Sequence, residues 1–208
     1  MTQILYIRHG EVPGNDPLNK ETYAYTGSRT DDSLTPKGRV QAQECADKIA
    51  SLIKNGVLRP PSVLYASQLK RSLETGEAIA AKIGLKVEPR PDLREIDWGD
   101  ADGKPVQDHP LPDCKLLYPD RKTRWEHLPG FKDAESYFNL LQRTIEELTF
   151  LAKKHPEETL IVVGHGRVLK TLIADRLNSE DNIPYPSNCG IAEFSYSAEE
   201  GLKYVKIV

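Results

Sequence analysis

The sequence predicts an α/β protein, a three-layer α/β/α sandwich in which helices cover both faces of a mostly parallel central sheet. Two observations support this fold class. The short, apolar, β-branched runs at residues 4–7 and 160–163 are typical of strands that are buried on both faces of a parallel sheet. Segments with helical periodicity alternate with such runs along the chain, as parallel strands and their crossover helices require.

The first half of the chain begins this alternation. After the first strand, residues 11–33 are polar and contain several Pro and Gly residues, which predicts a long and functional loop. Thr35-Pro36 has the residue types of a helix N-cap and first turn, and the apolar spacing behind it predicts a helix. A strand over 63–66 should follow, and then a second helix that Ser67 caps and that runs to about residue 83.

The second half contains an irregular segment and the remaining elements. Residues 84–133 are rich in Pro, Gly and Asp, which predicts an irregular insertion or lid, placed at about 96–133. Apolar residues at alternating spacings of three and four predict a helix over 134–154. The predicted elements after it are a strand over 160–163, a helix over 167–177 and two terminal strands near 191–196 and 203–207.

The composition limits the classes of protein to consider. With 208 residues, 38% of them hydrophobic, residues 1–208 are expected to form a single domain. A formal net charge of -3 argues against a nucleic-acid partner, because binding to the phosphate backbone usually needs a concentrated basic face. No apolar run approaches the roughly 18 residues of a membrane helix. We therefore expect no membrane partner and a cytoplasmic location.

The cysteines and histidines do not indicate a metal site. Cys45, Cys114 and Cys189 are too few and too scattered for a disulfide framework, so reduced thiols are expected. The histidines show no metal-ligand spacing, and no Cys-x-x-Cys motif accompanies them. The prediction is that the protein needs neither a metal nor another cofactor.

Two histidines follow the predicted central strands directly. Arg8-His9-Gly10 comes after the first apolar run, and His165-Gly166 comes after the run at 160–163. Ligand sites in parallel sheets form at the carboxyl ends of the strands, so these residues should meet in one pocket. A histidine in such a place, taken alone, is more often structural or simply exposed. The motifs around it must decide between these interpretations.

Further motifs accompany the two histidines in a fixed order along nearly the whole chain. The first is Arg8-His9-Gly10-Glu11 with Asn15. The others are residues 30–38 with Gln41-Ala42, residues 67–72 with Thr75, Leu93-Arg94-Glu95 with Gly99 and Gly103, Glu135-Ser136 with Arg143, Gly164-His165-Gly166, and Asn188-Cys189. This series resembles the histidine phosphatase superfamily, also called the phosphoglycerate mutase-like family. The resemblance implies a phosphoglycerate mutase-like fold and catalysis through a phosphohistidine.

The resemblance also implies roles for the basic residues. Arg8 and Arg71 are the expected phosphate clamps, since guanidinium groups match phosphoryl oxygens with paired hydrogen bonds. His9 is the expected nucleophile, with its other ring nitrogen donating to a backbone carbonyl. His165 is expected to hold the phosphoryl oxygens by a hydrogen bond as the group transfers. The alternative for the two arginines is an ordinary surface salt bridge.

Three other residues complete the expected site. Glu95 resembles the proton donor of the family, and Gly166 stands where some branches carry an Asp instead, which favours Glu95 as the acid. Gly166, at the start of a predicted helix, and Asn15 are expected to bind phosphate. The alternatives are a solvated acidic loop around Glu95 and a turn-capping role for Asn15. His109, His127 and His155 have no motif support.

The expected function is the hydrolysis of a small phosphorylated metabolite, a phosphomonoester, through a phosphohistidine. The segment after Glu95 lacks the Arg and His that resemble a phosphoglycerate mutase, which favours a phosphatase. The alternative is a cofactor-dependent phosphoglycerate mutase, an isomerase, for which Arg121, Lys122 and Arg124 could supply basic contacts. Asp120 and Glu126 flank this cluster, which favours a solvated surface of mixed charge instead. A third possibility is a non-catalytic sensor of a phosphorylated ligand. The natural substrate and the oligomeric state stay open at this point.

Overall fold

A six-stranded sheet with helices on both faces forms the body of the protein in the computed structural model, which describes residues 1–15, 22–111, 120–181, 183–184 and 186–208. The strands are β1 (Thr2–Arg8), β2 (Val63–Ser67), β3 (Val87–Arg90), β4 (Thr159–Gly164), β5 (Ile191–Ser197) and β6 (Gly201–Ile207). The helices in the described residues are α1 (Pro36–Lys54), α2 (Lys70–Ile83), α3 (Arg121–His127), α4 (Tyr137–Lys154) and α5 (Gly166–Arg176).

The sheet has the order β3-β2-β4-β1-β5-β6. The strands β3, β2, β4 and β1 are parallel, whereas β5 and β6 pair in antiparallel fashion at the other edge. Residues 4–7 and 160–163 lie in the two adjacent central strands, and none of their side chains is more than 2% exposed. The prediction of a mostly parallel sheet with doubly buried central strands is confirmed.

Alternate residues of the central strands contact different helices. Ile4 and Tyr6 of β1 belong to a cluster that includes the apolar faces of α4 and α5. Leu5 and Ile7 point to the opposite side, where α1 and α2 supply the packing. This division follows from the two-residue period of a strand, and it confirms the three-layer arrangement.

The helix starts agree with the predicted caps at one position and differ at another. Thr35 caps α1, since its side chain accepts a hydrogen bond of 2.9 Å from the Gly38 N–H. The prediction that Ser67 caps the second helix is wrong, because Ser67 is the last residue of β2 and pairs with Arg90 of β3. The helix begins only at Lys70, and no side chain caps it.

The segment predicted to be irregular from residue 84 contains an additional strand. β3 runs over Val87–Arg90, pairs with β2 and lies at the edge of the described sheet. Pro89 argues against a central strand, but proline is tolerated at the edge of a sheet, where one side of the strand needs no ladder hydrogen bonds. The edge position therefore explains a strand that the composition of this segment does not predict.

The insertion predicted at about 96–133 also contains regular structure. Its helix α3 begins after Asp120, whose side chain accepts a hydrogen bond of 3.0 Å from the Thr123 N–H. α4 starts at Tyr137 and not at 134, because Ser136 is its N-cap and Asp133 has a φ of 58°. Cys114 and part of the loop predicted over residues 11–33 lie outside the residues that the structure describes.

In the described part of the chain, no helix is both long and apolar enough to cross a membrane. Within the same residues, no group of three or more His, Cys, Asp or Glu side chains is arranged to hold a metal ion. Cys45 is buried and Cys189 partly buried, and both are free thiols.

Candidate active site

A cavity of about 470 Å³ opens at the carboxyl ends of β1 and β4. Arg8 of β1 is directly paired with Gly164 of β4, so the residue that follows each of them, His9 and His165, emerges at the same edge of the sheet. The predicted site residues that line this cavity are Arg8, His9, Asn15, Glu95 and Gly166. Arg71 and His165 are fully buried and lie outside this lining. The His165 ring lies beside that of His9, and the charge of Arg71 acts on His9.

His9 is held in one orientation and in its neutral form. Its Nδ1 lies 2.6 Å from the Gly10 carbonyl oxygen, and since a carbonyl only accepts, Nδ1 carries the proton. The unshared electron pair is then on Nε2. Burial, followed by the charges of Arg71 and Arg8, holds the pKa of His9 well below its usual range. The predicted contact to a backbone carbonyl is present, and Nε2 has the form of a nucleophile.

His165 lies beside His9, with 5.2 Å between the ring centroids. It is the N-cap residue of α5, and its backbone N–H donates to the Tyr6 hydroxyl over 3.1 Å. Its Nε2 lies 3.4 Å from the Ser72 hydroxyl, whereas its buried Nδ1 has no hydrogen-bond partner among the described residues. Burial, with Arg71 next in size, also lowers its pKa. A neutral imidazole with an unused nitrogen can bind a phosphoryl oxygen.

Arg71, from the first turn of α2, is a buried cation. Its guanidinium donates to the carbonyls of Thr30 at 2.6 Å and Gly27 at 2.9 Å, while Nε has no partner among the described residues. Burial lowers its pKa, although Glu95 and other carboxylates act in the opposite direction. Two carbonyl dipoles do not neutralise a buried positive charge, so an anion bound nearby would be strongly favoured.

Arg8 and Asn15 approach the cavity from the loop side. The Arg8 guanidinium donates to the Pro186 carbonyl over 3.3 Å. Asn188 donates from Nδ2 to the His9 carbonyl at 3.1 Å and to Asn15 Oδ1 at 3.5 Å. The Asn15 side chain therefore faces the site and contacts Asn188 in addition to any local role in its turn.

Glu95 is buried at the N-terminus of α5. Its Oε2 accepts from the Arg167 N–H at 3.1 Å, and Oε1 accepts from the Val168 N–H at 3.3 Å. The N–H of Ile96 also donates to Oε1 at 2.9 Å. The first N–H groups of α5 thus bind the carboxylate and position Glu95. Gly166, from the same turn of the helix, lines the cavity.

A second clamp holds the backbone on the other side of Glu95. Arg143 of α4 donates to the carbonyls of Arg94 at 2.9 Å and Glu95 at 3.1 Å. The carboxylate of Glu135 pairs with the same guanidinium at 2.6 and 2.8 Å. The sequence motifs that contain Glu135 and Arg143 therefore have a structural purpose, which is to hold the segment that carries the predicted acid.

The loop after His9 packs closely against the start of α1. A Cβ atom at Gly10 would lie 2.5 Å from the Gly38 carbonyl oxygen, so only glycine permits this approach. Gln41 accepts from the Glu11 N–H at 2.9 Å, and Thr75 accepts from the Gly10 N–H at 3.1 Å. These contacts explain why the residues of the first two motifs occur together.

Three residues that shape the site had no role assigned to them from the sequence. Tyr6 and Ser72 contact His165, and Arg167 lines the cavity beside Gly166. Tyr6 lies inside an apolar strand pattern, where a tyrosine signals only burial. Arg167 directly follows Gly166, a residue of the second histidine motif. This position in the sequence was the signal that could have indicated a place in the cavity wall.

Residues without motif support lie elsewhere. His109, His127 and His155 do not line the cavity. The basic cluster proposed for a mutase is also outside its lining, because Arg124 pairs with Glu180 and Arg121 stacks on Trp125. Arg124 thus joins α3 to the segment after α5.

Comparisons with known proteins agree with the arrangement of this site. The sequence profile of the histidine phosphatase superfamily (branch 1) matches residues 4–205. Phosphoglycerate mutase-like protein 4 of Arabidopsis thaliana is 32% identical over 173 residues, which cover 82% of this chain and 69% of that protein. Phosphoserine phosphatase 1 of Hydrogenobacter thermophilus is 26% identical over 198 residues, which cover 94% and 85% of the two chains.

Solved structures show the same fold. A phosphoserine phosphatase of Entamoeba histolytica, in complex with 3-phosphoglyceric acid, superimposes with a TM-score of 0.74 and 25% identity. The match covers 100% of this chain and 96% of that chain. The family profile, the relatives and the fold lead to one conclusion: the chain belongs to branch 1 of the histidine phosphatase superfamily.

Proposed function

We propose that this protein is a phosphatase that hydrolyses a small phosphomonoester through a phosphohistidine formed on His9. The observation that carries the proposal is the state of His9, whose Nδ1 is bound to the Gly10 carbonyl while burial keeps the ring neutral. A neutral imidazole with a fixed tautomer can attack phosphorus without first losing a proton. Similar proteins that are named phosphoserine phosphatase support the same class of reaction.

In the first step, Nε2 of His9 attacks phosphorus in line, and the bond to the ester oxygen breaks. Arg8 and Arg71 bind the phosphoryl oxygens, where their charge balances the charge on the transferring group. His165 donates a hydrogen bond to the same oxygens, and Asn15 completes the polar lining. The product of this step is phosphohistidine together with the departing alkoxide.

Glu95 acts first as the general acid and then as the general base. As a carboxylic acid it protonates the alkoxide, and as a carboxylate it then accepts a proton from the water that attacks phosphohistidine. Inorganic phosphate leaves, and His9 returns to its neutral form. The backbone contacts from α5 support this role because they hold the Glu95 side chain in the cavity wall.

The position of the basic cluster favours hydrolysis over a mutase reaction. A mutase must retain its phosphorylated acid and exclude water while the phosphoenzyme survives, which calls for additional cations around the substrate. Arg121, Lys122 and Arg124 are absent from the described lining of the cavity. The Arabidopsis relative carries a mutase-like name, so the mutase reaction belongs in the same test.

The test is metal-free release of phosphate from a panel of phosphomonoesters, including p-nitrophenyl phosphate. Wild-type protein is expected to release phosphate and to form an acid-labile phosphoenzyme after brief mixing with substrate. His9→Ala should abolish both, because no other described side chain is placed to attack. Turnover by this variant at the wild-type rate would refute the nucleophile assignment.

His127→Ala is the matched control, since this exposed histidine lies on α3 and outside the cavity lining. It should retain wild-type turnover. Interconversion of 2- and 3-phosphoglycerate is measured in parallel with 2,3-bisphosphoglycerate present. Interconversion with little phosphate release would identify a mutase. The absence of activity in every assay would favour a sensor of a phosphorylated ligand.

A second prediction concerns Glu95 and depends on the leaving group. Glu95→Gln keeps the shape of the side chain but removes its ability to give or take a proton. An alkoxide needs a proton to depart, whereas p-nitrophenolate hardly does. We expect kcat/KM to fall about 100-fold or more for an alkyl phosphate and clearly less for p-nitrophenyl phosphate.

The comparison is made within one preparation of the variant, so that a loss of folded protein affects both substrates equally. Equal losses for the two esters would contradict the assignment of Glu95 as the acid. Phosphoenzyme formation from p-nitrophenyl phosphate reports the first step separately from hydrolysis.

A further inference from the structure

The role of His165 depends on which of its two ring nitrogens carries the proton. Burial lowers the pKa of His165 well below its usual range, so the ring is neutral and has one donor and one acceptor. A nitrogen that carries the proton can donate to a phosphoryl oxygen, whereas a bare nitrogen repels it. The hydrogen bond made by one ring nitrogen determines the state of the other.

Ser72 lies against one of these nitrogens. Its hydroxyl oxygen is 3.4 Å from Nε2 of His165, and both residues are fully buried. Nδ1 of His165 has no hydrogen-bond partner among the described residues. The ring thus contacts the protein through Nε2 and keeps Nδ1 for another partner.

The Ser72 hydroxyl has no second partner in the part of the chain that the structure describes. Thr75, on the same helix, shows the usual alternative, since its hydroxyl donates over 2.7 Å to the carbonyl of Arg71, four residues earlier. Ser72 makes no such bond to its own helix. The acceptor that remains for its hydrogen is Nε2 of His165.

The two possible positions of the proton differ in how many buried groups they satisfy. With the proton on Nδ1, Ser72 donates to Nε2, and only the Nδ1–H lacks a partner among the described residues. With the proton on Nε2, that nitrogen donates to Ser72, and both the Ser72 hydrogen and the bare Nδ1 lack one. Unsatisfied buried polar groups are unfavourable, so the structure favours the proton on Nδ1.

The neighbouring ring of His9 suggests the use of this proton. The centroids of the two rings are 5.2 Å apart, a separation that a phosphoryl group bound to His9 can bridge. An oxygen of that group would supply the acceptor that Nδ1–H lacks among the described residues. Donors that are already oriented toward the developing charge stabilise a transition state without further rearrangement.

We propose that Ser72 is a positioning residue that fixes the proton of His165 on Nδ1, so that the ring donates to the phosphoryl group during transfer. The inference rests on the proposed phosphatase function and adds to it a residue that acts only through His165. Without such a partner, a neutral histidine side chain favours the proton on Nε2. Nδ1 would then be bare and would repel the phosphoryl oxygens.

Nitrogen NMR of protein with isotope-labelled histidine tests the position of the proton. A ring nitrogen that carries the proton and one that does not have well-separated chemical shifts, and His165→Gln identifies the His165 signals by their loss. Wild-type protein should carry the proton on Nδ1, and in Ser72→Ala the proton should move to Nε2. A proton on Nε2 in wild type, or an unchanged proton position in Ser72→Ala, would overturn the proposal.

Steady-state kinetics tests the consequence for catalysis. Ser72→Ala should lower kcat about 10- to 100-fold and leave KM within about threefold of wild type, because the lost donor acts on the transition state. Thr159→Val is the matched control. It removes a buried hydroxyl that bonds to Gln3 at 3.0 Å, at the opposite end of β4 from His165, and it should keep the wild-type kcat. A fall in kcat that is no larger for Ser72→Ala than for the control would contradict the role of Ser72.

Ser72→Thr keeps the hydroxyl and should retain both the proton on Nδ1 and a kcat within about threefold of wild type. If it kept this proton but lost kcat as Ser72→Ala does, Ser72 would act through packing and the proposal would fail. Failure of the phosphatase proposal is recognised separately, as wild-type protein without turnover or phosphoenzyme. The NMR comparison of wild type and Ser72→Ala, recorded with and without inorganic phosphate, decides the proton position in that case too, because it needs no turnover.

Discussion

Tyr6 and Gly164 form a pair beneath the second histidine. The Tyr6 hydroxyl accepts the backbone N–H of His165, and a Cβ atom at position 164 would lie 2.0 Å from that hydroxyl oxygen. Only glycine at position 164 therefore leaves room for the phenol. Burial raises the pKa of Tyr6, which keeps the phenol neutral at any working pH. Tyr6 is a positioning residue for His165, since it reaches the reacting groups only through that residue.

Removing this hydroxyl should affect the rate more than substrate binding. Tyr6→Phe leaves the His165 N–H without its acceptor in a buried place, so the ring should lose its fixed position. We expect kcat to fall about tenfold with little change in KM, and the free energy of unfolding to fall by about 1–3 kcal/mol. Steady-state kinetics and urea unfolding measure the two effects.

Tyr65→Phe is the matched control for this prediction. Tyr65 is also buried in the sheet, and its hydroxyl bonds to His155 at 2.9 Å, outside the cavity lining. This variant should lose stability without losing kcat. A comparable fall in kcat for both variants would show that Tyr6 acts only through general stability.

The chemistry of the candidate site was more predictable than its supports. Five residues could be named from sequence because the motifs that contain them resemble those of the histidine phosphatase superfamily: Arg8, His9, Arg71, Glu95 and His165. The hydrogen bonds that hold them involve backbone groups, such as the Gly10 carbonyl. Every residue has such groups, so no pattern of side chains reveals which ones are used.

Among the helices and strands, those with the strongest apolar pattern in the sequence were predicted best. β1, β4, α1 and α4 have long or strongly apolar signals, and each was predicted with boundaries that are correct within a few residues. β3 was missed because it is short and contains a proline. Its stability depends on pairing with β2, a contact that is distant in sequence and invisible to local propensity.

The short helix α3 illustrates the same limit. Seven residues form a marginal helix on their own, so tertiary contacts must stabilise it. Trp125 donates from Nε1 to Glu180 at 2.6 Å, and Arg124 pairs with the same carboxylate. From sequence, Arg124 was either a basic contact of a mutase or part of a solvated surface, whereas its partner in the structure lies in the segment after α5.

For the whole molecule, two buried neutral histidines connect the site to stability in acid. The pKa values of His9 and His165 are lowered in the folded protein, while the unfolded chain should titrate near the usual value of about 6.5. Below that pH the unfolded state binds more protons than the folded state. The contribution of the two neutral histidines to the free energy of unfolding is therefore present above about pH 6.5. It is lost as the pH falls below that value.

His9→Gln should remove about half of the pH dependence of stability that the two buried histidines cause. Between pH 7.0 and 5.5, the free energy of unfolding should fall by about 1.3 kcal/mol less in the variant than in wild type. Urea unfolding at the two pH values measures the difference. His127→Gln is the control and should match wild type, because His127 is exposed. Identical pH dependence in all three proteins would contradict the assignment of a buried neutral His9.

The pairing of β1 with β4 has a consequence for how the protein acquires activity. The two histidines come from strands that are neighbours in the sheet but lie at opposite ends of the chain, and Asn188 then contacts the His9 carbonyl. The catalytic centre thus depends on contacts of very long sequence separation, which form slowly. During synthesis on the ribosome, the first half of the chain must wait for the second before any turnover begins. Recovered activity therefore reports that the entire sheet has assembled.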